Sequence, residues 1–117
     1  MSTRENVSSS FPEVVLVLTT IAAEADGSVL ARTLVDERLA ACVNVLPPMT
    51  SVYRWKGQVE QDREQQVIIK TTRDKLPALE ARVRELHSYE LPEFVVLAVV
   101  SGSDAYLKWV GDSVGTP

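Results

Sequence analysis

The residues best suited to chemistry in this 117-residue chain are its single histidine, His87, and its single cysteine, Cys42. His87 opens the stretch His87-Ser88-Tyr89-Glu90-Leu91-Pro92-Glu93, which sets an imidazole beside a phenol and two carboxylates where a helix end runs into a strand. Neutral imidazole is the commonest metal ligand. With a carboxylate such as Glu90 it suits Cu(II) or Zn(II), the rest of the shell coming from water or a neighbouring subunit. Cys42 sits at a second helix-to-strand junction. Its thiolate suits copper or zinc, and a free cysteine is equally at home as a small buried apolar group. Two readings also stand for the others. His87 is a ligand, or it caps helix carbonyls and pairs with Glu90 or Glu93. Those two acids are oxygen ligands, or they form salt bridges with Lys70 or Arg54 of a neighbouring subunit. Tyr53, Trp55, Tyr89 and Trp109 line an intersubunit cleft, or they pack an ordinary interface. One Cys and one His exclude a four-ligand zinc site of those types within one chain. No spacing identifies a nucleophile with its base, so catalysis by His87, Tyr89 and Glu90 ranks below coordination. Gly27, Gly57 and Gly102 are isolated and make no phosphate-binding loop.

Composition narrows the field of partners. The chain is 45% apolar and 24% charged with a net charge of −4, ordinary values for one globular domain. Its basic residues are scattered among acids, which argues against a nucleic-acid surface. No apolar run approaches the roughly 20 residues of a spanning helix. Residues 1–12 are Ser-rich with no apolar core of the signal-peptide kind, and are expected to form a mobile tail before one domain at 13–113 and a short tail at 114–117. A lone cysteine and no export signal point to the reducing cytosol.

The elements that must position these residues follow from periodicity. Val14 to Leu18, ending at Thr19-Thr20, is a continuous apolar run of the kind found in strands covered on both faces. Asp26 or Ser28 caps a first helix, with Ala31, Leu34, Val35 and Leu39 on one face. Cys42 to Leu46 is a second strand, interrupted by Pro47-Pro48, where a bend or bulge is expected because proline has no N–H to donate. It resumes from Thr50 to Trp55, turns at Lys56-Gly57-Gln58, and returns from Val59 to Thr71. Leu76, Leu79, Val83 and Leu86 make one helical stripe, with Glu80 and Arg84 paired outside it and Asp74 as the expected cap ahead of Pro77. Phe94 to Val100 is the fourth strand, and Ser101 to Asp104 starts a short terminal helix carrying Tyr106, Leu107, Trp109 and Val110. The order β-α-β-β-α-β predicts an α+β, ferredoxin-like fold with an antiparallel four-stranded sheet, a long central hairpin and a short C-terminal helix. The hairpin arms, about a dozen residues each, overhang the outer strands and expose Val52, Tyr53 and Trp55. Long exposed edges are normally paired or covered, so an oligomer built around the hairpins is expected.

Several segments together resemble the CutA family of divalent-ion tolerance proteins. They are Leu39-Ala40-Ala41-Cys42-Val43-Asn44, Ser51-Val52-Tyr53-Arg54-Trp55-Lys56-Gly57, Ile69-Lys70-Thr71, His87 to Glu93, and Tyr106-Leu107-Lys108-Trp109. They occur in family order from Val14 to about Val110. The resemblance implies a homotrimer whose hairpins pair between subunits, similar in architecture to PII signalling proteins. It implies a role in metal tolerance, with copper the metal most often attached to it and no established reaction. Ligand types proposed for the family map onto Cys42 and His87; Glu90 remains the candidate oxygen donor from its own chemistry. Two departures stand out: Thr19, where some members carry another cysteine, and Ser88, where proline is usual. The alternative role is a PII-like scaffold whose intersubunit clefts bind a small molecule or protein.

Overall fold

The computed structural model describes residues 13–115; the expected tail at 1–12 lies outside them, as do the last two residues. Seven principal elements follow one another: β1 (Val14–Ala22), α1 (Gly27–Asp36), β2 (Cys42–Trp55), β3 (Gln58–Thr72), α2 (Leu76–Leu86), β4 (Val95–Ala98) and α3 (Asp104–Val114). The four strands form one antiparallel sheet in the order β2-β3-β1-β4. This is the ferredoxin-like α+β fold read from the sequence.

The two crossover helices cover one face, here called the inner face. Val17 and Ile21 of β1, Val67 and Ile69 of β3, Leu34 of α1, and Leu79 and Val83 of α2 form a single buried cluster. Full burial of one such side chain stabilises the fold by about 1.5–3 kcal/mol. Asp26 caps α1 by accepting the Ser28 N–H at 3.0 Å, and Gly27 brings this helix end so close to β2 that a Cβ would lie 2.6 Å from Val45 Cγ1. Arg82 on α2 clasps Glu37 at the end of α1 through two bonds of 2.9 Å. Beyond α1, Arg38 takes a left-handed φ of 59°. Glycine would suit that backbone better, but the guanidinium reaches the carbonyls of Ser113 and Gly115 at 3.2 and 3.3 Å and ties down the end of α3.

The opposite, outer face is covered only in part. Val110 and Val114 of α3 close over Val14 and Ala41 at one end. Along the rest, Leu16, Leu18 and Ile68 are only half-buried, and Leu97 of β4 is 44% exposed. The apolar run of β1 is thus covered fully on one face and only in part on the other, where burial on both faces was expected.

Several details differ from the sequence reading. Asp74 does not cap α2. It lies in a 3-10 turn, Arg73–Lys75, and accepts from the Thr72 hydroxyl, while Lys75 stands at the N-cap without a side-chain bond. Val35 and Leu86 fall outside the buried stripes at 40% and 41% exposure. β4 has four residues, not seven, and pairs with β1 over Val95 to Ala98. The Glu80–Arg84 pair forms at 3.2 Å.

The hairpin is longer than anticipated, with arms of 14 and 15 residues. Ala22 at the end of β1 pairs with Glu64, so β3 from Gln58 to Arg63 extends past it. The turn is two residues, Lys56 and Gly57, with φ of 51° and 81°, the pair of positive values that matches the twist of a tight hairpin. At Pro47-Pro48 the register slips. Val45 pairs with Val67 but Pro48 pairs with Gln65, so β2 carries one extra residue. Because side chains alternate faces, that residue inverts the facing of everything after it. Cys42 and Asn44 face outward before the bulge; Met49, Ser51, Tyr53 and Trp55 face outward after it.

Candidate functional site

The bulge builds a site by bringing Tyr53 and Trp55 to the same face as Asp62 and Glu64 of β3. The loop between α2 and β4 folds against them and encloses a cleft of about 1100 Å³. Tyr53, Trp55 and Tyr89 are its aromatic walls. Asp62, Glu64 and Glu93 stand between them, with Glu24 and Glu90 also on its lining.

His87 anchors that loop. Its Nε2–H donates to the Thr20 carbonyl, and its Nδ1 accepts the Tyr89 N–H at 3.0 Å. Both partners are fixed in role, a carbonyl that only accepts and an amide that only donates, so the ring is held as the neutral Nε2–H tautomer. Tyr89 then packs edge-on against the imidazole with centroids 4.5 Å apart and donates its hydroxyl to Glu64 Oε2 at 2.9 Å. Burial first, and then the Glu64 carboxylate, push the Tyr89 phenol well above its ordinary range. Tyr53 donates its hydroxyl to Asp62, and that bond is the main reason its pKa is pushed up to about 12. Both phenols therefore stay protonated donors at neutral pH.

The family model of the CutA1 divalent ion tolerance protein matches residues 15–113. The chain belongs to the CutA family. The divalent-cation tolerance protein CutA of Thermus thermophilus is 44% identical over 100 residues, covering 86% of this chain and 97% of that one. A CutA homologue of Xenopus laevis is 51% identical over 85 residues; the match covers 73% of this chain and 56% of the frog protein's length. Among solved structures, CutA1 from Oryza sativa superposes with a TM-score of 0.84 at 38% identity, covering 89% of this chain and 95% of that one.

The CutA protomer does not assemble the expected donors into one cluster. Cys42 is half-buried and pairs in register with Lys70, which pairs with Leu16. His87 reaches Thr20, four positions further along β1, or about 13 Å at the rise of a strand. Both nitrogens of His87 are already engaged inside the fold, so a metal ion there must displace one of those bonds. Glu90 is exposed and faces Lys56 Nζ at 3.8 Å, while Glu93 accepts from Gln66 Nε2 at 3.3 Å. Neither meets Lys70 or Arg54 within the protomer. Thr19 faces the inner side and is fully buried, and its hydroxyl has no hydrogen-bond partner among the described residues. Among the described residues no three of His, Cys, Asp and Glu converge as metal ligands. The donors of one protomer thus do not fit a tight transition-metal site.

Trp109 lies elsewhere, on α3 beside Tyr106 at 5.4 Å, 45% exposed. Asp62 and Glu64 are not among the candidates read from the sequence. The available signal was their spacing of two, continued by Gln66, which marks one face of a strand.

Proposed function

We propose that this CutA chain serves divalent-cation tolerance as a homotrimer joined through its long hairpins and open sheet face, binding divalent cations weakly near His87, with Cu(II) the first candidate. The observation that carries this reading is the outer face. β1 is apolar on both sides, yet its outer side is covered only in part within the protomer, and the remainder together with exposed Tyr106 and Trp109 is what an oligomer buries. Weak binding follows from the state of His87, since coordination costs the bond from the Tyr89 amide. Glu90 supplies the adjacent carboxylate. The reducing cytosol is the proposed compartment; relatives carry chloroplastic and periplasmic names, and no helix among the described residues is long and apolar enough to cross a membrane.

The size of the cleft favours a second reading, a PII-like trimeric scaffold in which metal binding is incidental and the clefts hold a small molecule or protein. One experiment separates the two. Cu(II) is titrated calorimetrically into tag-free protein and the His87→Ala variant, with mass measured in the same buffer. One weakly bound ion per subunit, lost in the variant, supports the cation site. Binding that survives the substitution removes His87 from it and favours the scaffold, and a monomeric mass sinks both.

A further inference from the structure

We infer that Arg38 is a strap between the two helix layers, which fixes α3 on the outer face in the position a neighbouring subunit meets. The inference rests on the trimer reading above and names a residue that prepares its contact surface. The backbone of Arg38 comes first. After α1 the Arg38 N–H returns to the Val35 carbonyl and the Leu39 N–H to the Leu34 carbonyl, both at 3.0 Å. That reversal calls for a left-handed residue just past the helix end. Arg38 fills the place with a φ of 59°, where glycine is the usual occupant because a Cβ is penalised there. The turn by itself would be better served by glycine, so the reason for arginine lies in what its side chain reaches.

It reaches from the inner-face layer to the helix of the outer face. Nη1 donates to the carbonyls of Ser113 and Gly115 at 3.2 and 3.3 Å. A helix C-terminus leaves such carbonyls without intrahelical donors, and its dipole favours a cation there. The clasp matters because α3 holds the sheet over a short length: Val110 and Val114 are its buried residues, packed against Val14 and Ala41. A second cation grips the other end, where Lys70 Nζ lies 3.3 Å from the Tyr106 hydroxyl and 5.5 Å from that ring's centroid. The stretch held by the two clasps carries Tyr106 and Trp109, 44% and 45% exposed, the aromatic surface assigned above to the subunit contact. Ordering that surface before association removes part of the entropic cost of assembly.

The test compares the full chain with Arg38→Gly and Arg38→Lys, measuring amide hydrogen exchange in α1 and α3 and mass over a dilution series. Glycine relieves the left-handed backbone while deleting the clasp. In Arg38→Gly, α1 should therefore exchange no faster than in the parent chain. α3 should exchange about tenfold faster through loss of hydrogen bonds to a charged group, and the trimer should dissociate at a higher concentration. Arg38→Lys should fall between, since lysine keeps the charge and the strain but not the guanidinium geometry. If Arg38→Gly fails to fold, Arg38→Lys carries the comparison. Exchange that rises equally in α1 and α3 would make Arg38 a residue of general stability and overturn the inference. So would unchanged exchange in α3, or a looser α3 in a trimer that dilutes as before. A parent chain that is monomeric at every concentration overturns the trimer reading and this inference with it, whereas a parent trimer unmoved by either substitution overturns this inference alone.

Discussion

The two faces of the sheet are built from similar residues and do different work. On the inner face, Val17, Val67, Ile69, Leu34 and Leu79 are fully buried under α1 and α2. On the outer face, side chains of the same kind stay half open, and polar groups appear among them: Lys70, Gln66, Glu64 and the two phenols. The β1 sequence alone does not distinguish the faces, since it is apolar on both. What distinguishes them is which face the helices cover. The inner face therefore carries most of the stability of the chain, and the outer face is left partly open.

Substitutions that give the wrong ranking would break this contrast. Leu34→Ala should have the largest effect, destabilising the protomer by about 2–5 kcal/mol as a cavity opens in a fully packed layer. Leu97→Ala on the outer face should cost well under half as much in the stability of the single chain and, on the proposed trimer, should instead lower the mass measured at dilution. Urea melts of both variants, with mass measured over a dilution series, test the pair; equal losses of stability would mean the faces are not functionally divided. Gly27→Ala follows, at about 1–3 kcal/mol, because the new methyl group must displace Val45 from beneath α1. Thr19→Val has the opposite sign. It removes a buried hydroxyl that has no partner among the described residues while keeping the shape, and should raise the urea midpoint by the equivalent of about 1 kcal/mol.

The layout of the inner face was legible in the sequence because it rests on local periodicity. The Leu79 and Val83 stripe, the Asp26 cap and the Gly57 turn each follow from a few adjacent residues. The cleft was not, for two physical reasons. Tyr53 and Trp55 reach it only because an extra residue at Pro47-Pro48 reverses the facing of β2, and the prolines announced an interruption without giving its phase. Glu64 becomes a buried group only when the loop after His87 folds over it, a contact between residues 25 positions apart that no local pattern encodes. His87 drew attention for its chemistry, yet both its nitrogens serve to hold that loop in place.

The smallest expected effect concerns pH, and it sharpens the contrast by assigning one limb to each face. On the helix-covered side, Glu37 is held below its ordinary value of 4.5, chiefly by the hydrogen bond from Arg82. Its contribution is present above the unfolded pKa and is lost as pH falls through the lower folded value. Asp26, lowered mainly by the Ser28 hydroxyl, acts in the same direction. On the outer face, Tyr89 and Tyr53 are raised above their ordinary value of 10.0. Here the unfolded chain releases its protons first, so the contribution is complete below pH 10 and is lost as pH rises through the folded values, about 12 for Tyr53. Urea midpoints measured across both ranges should therefore decline at each end. Glu37→Gln should flatten only the acid limb, and Tyr89→Phe only the alkaline one. If Tyr89→Phe left the alkaline limb as steep as before, the hydroxyl bond to Glu64 would not be what holds the loop against the cleft.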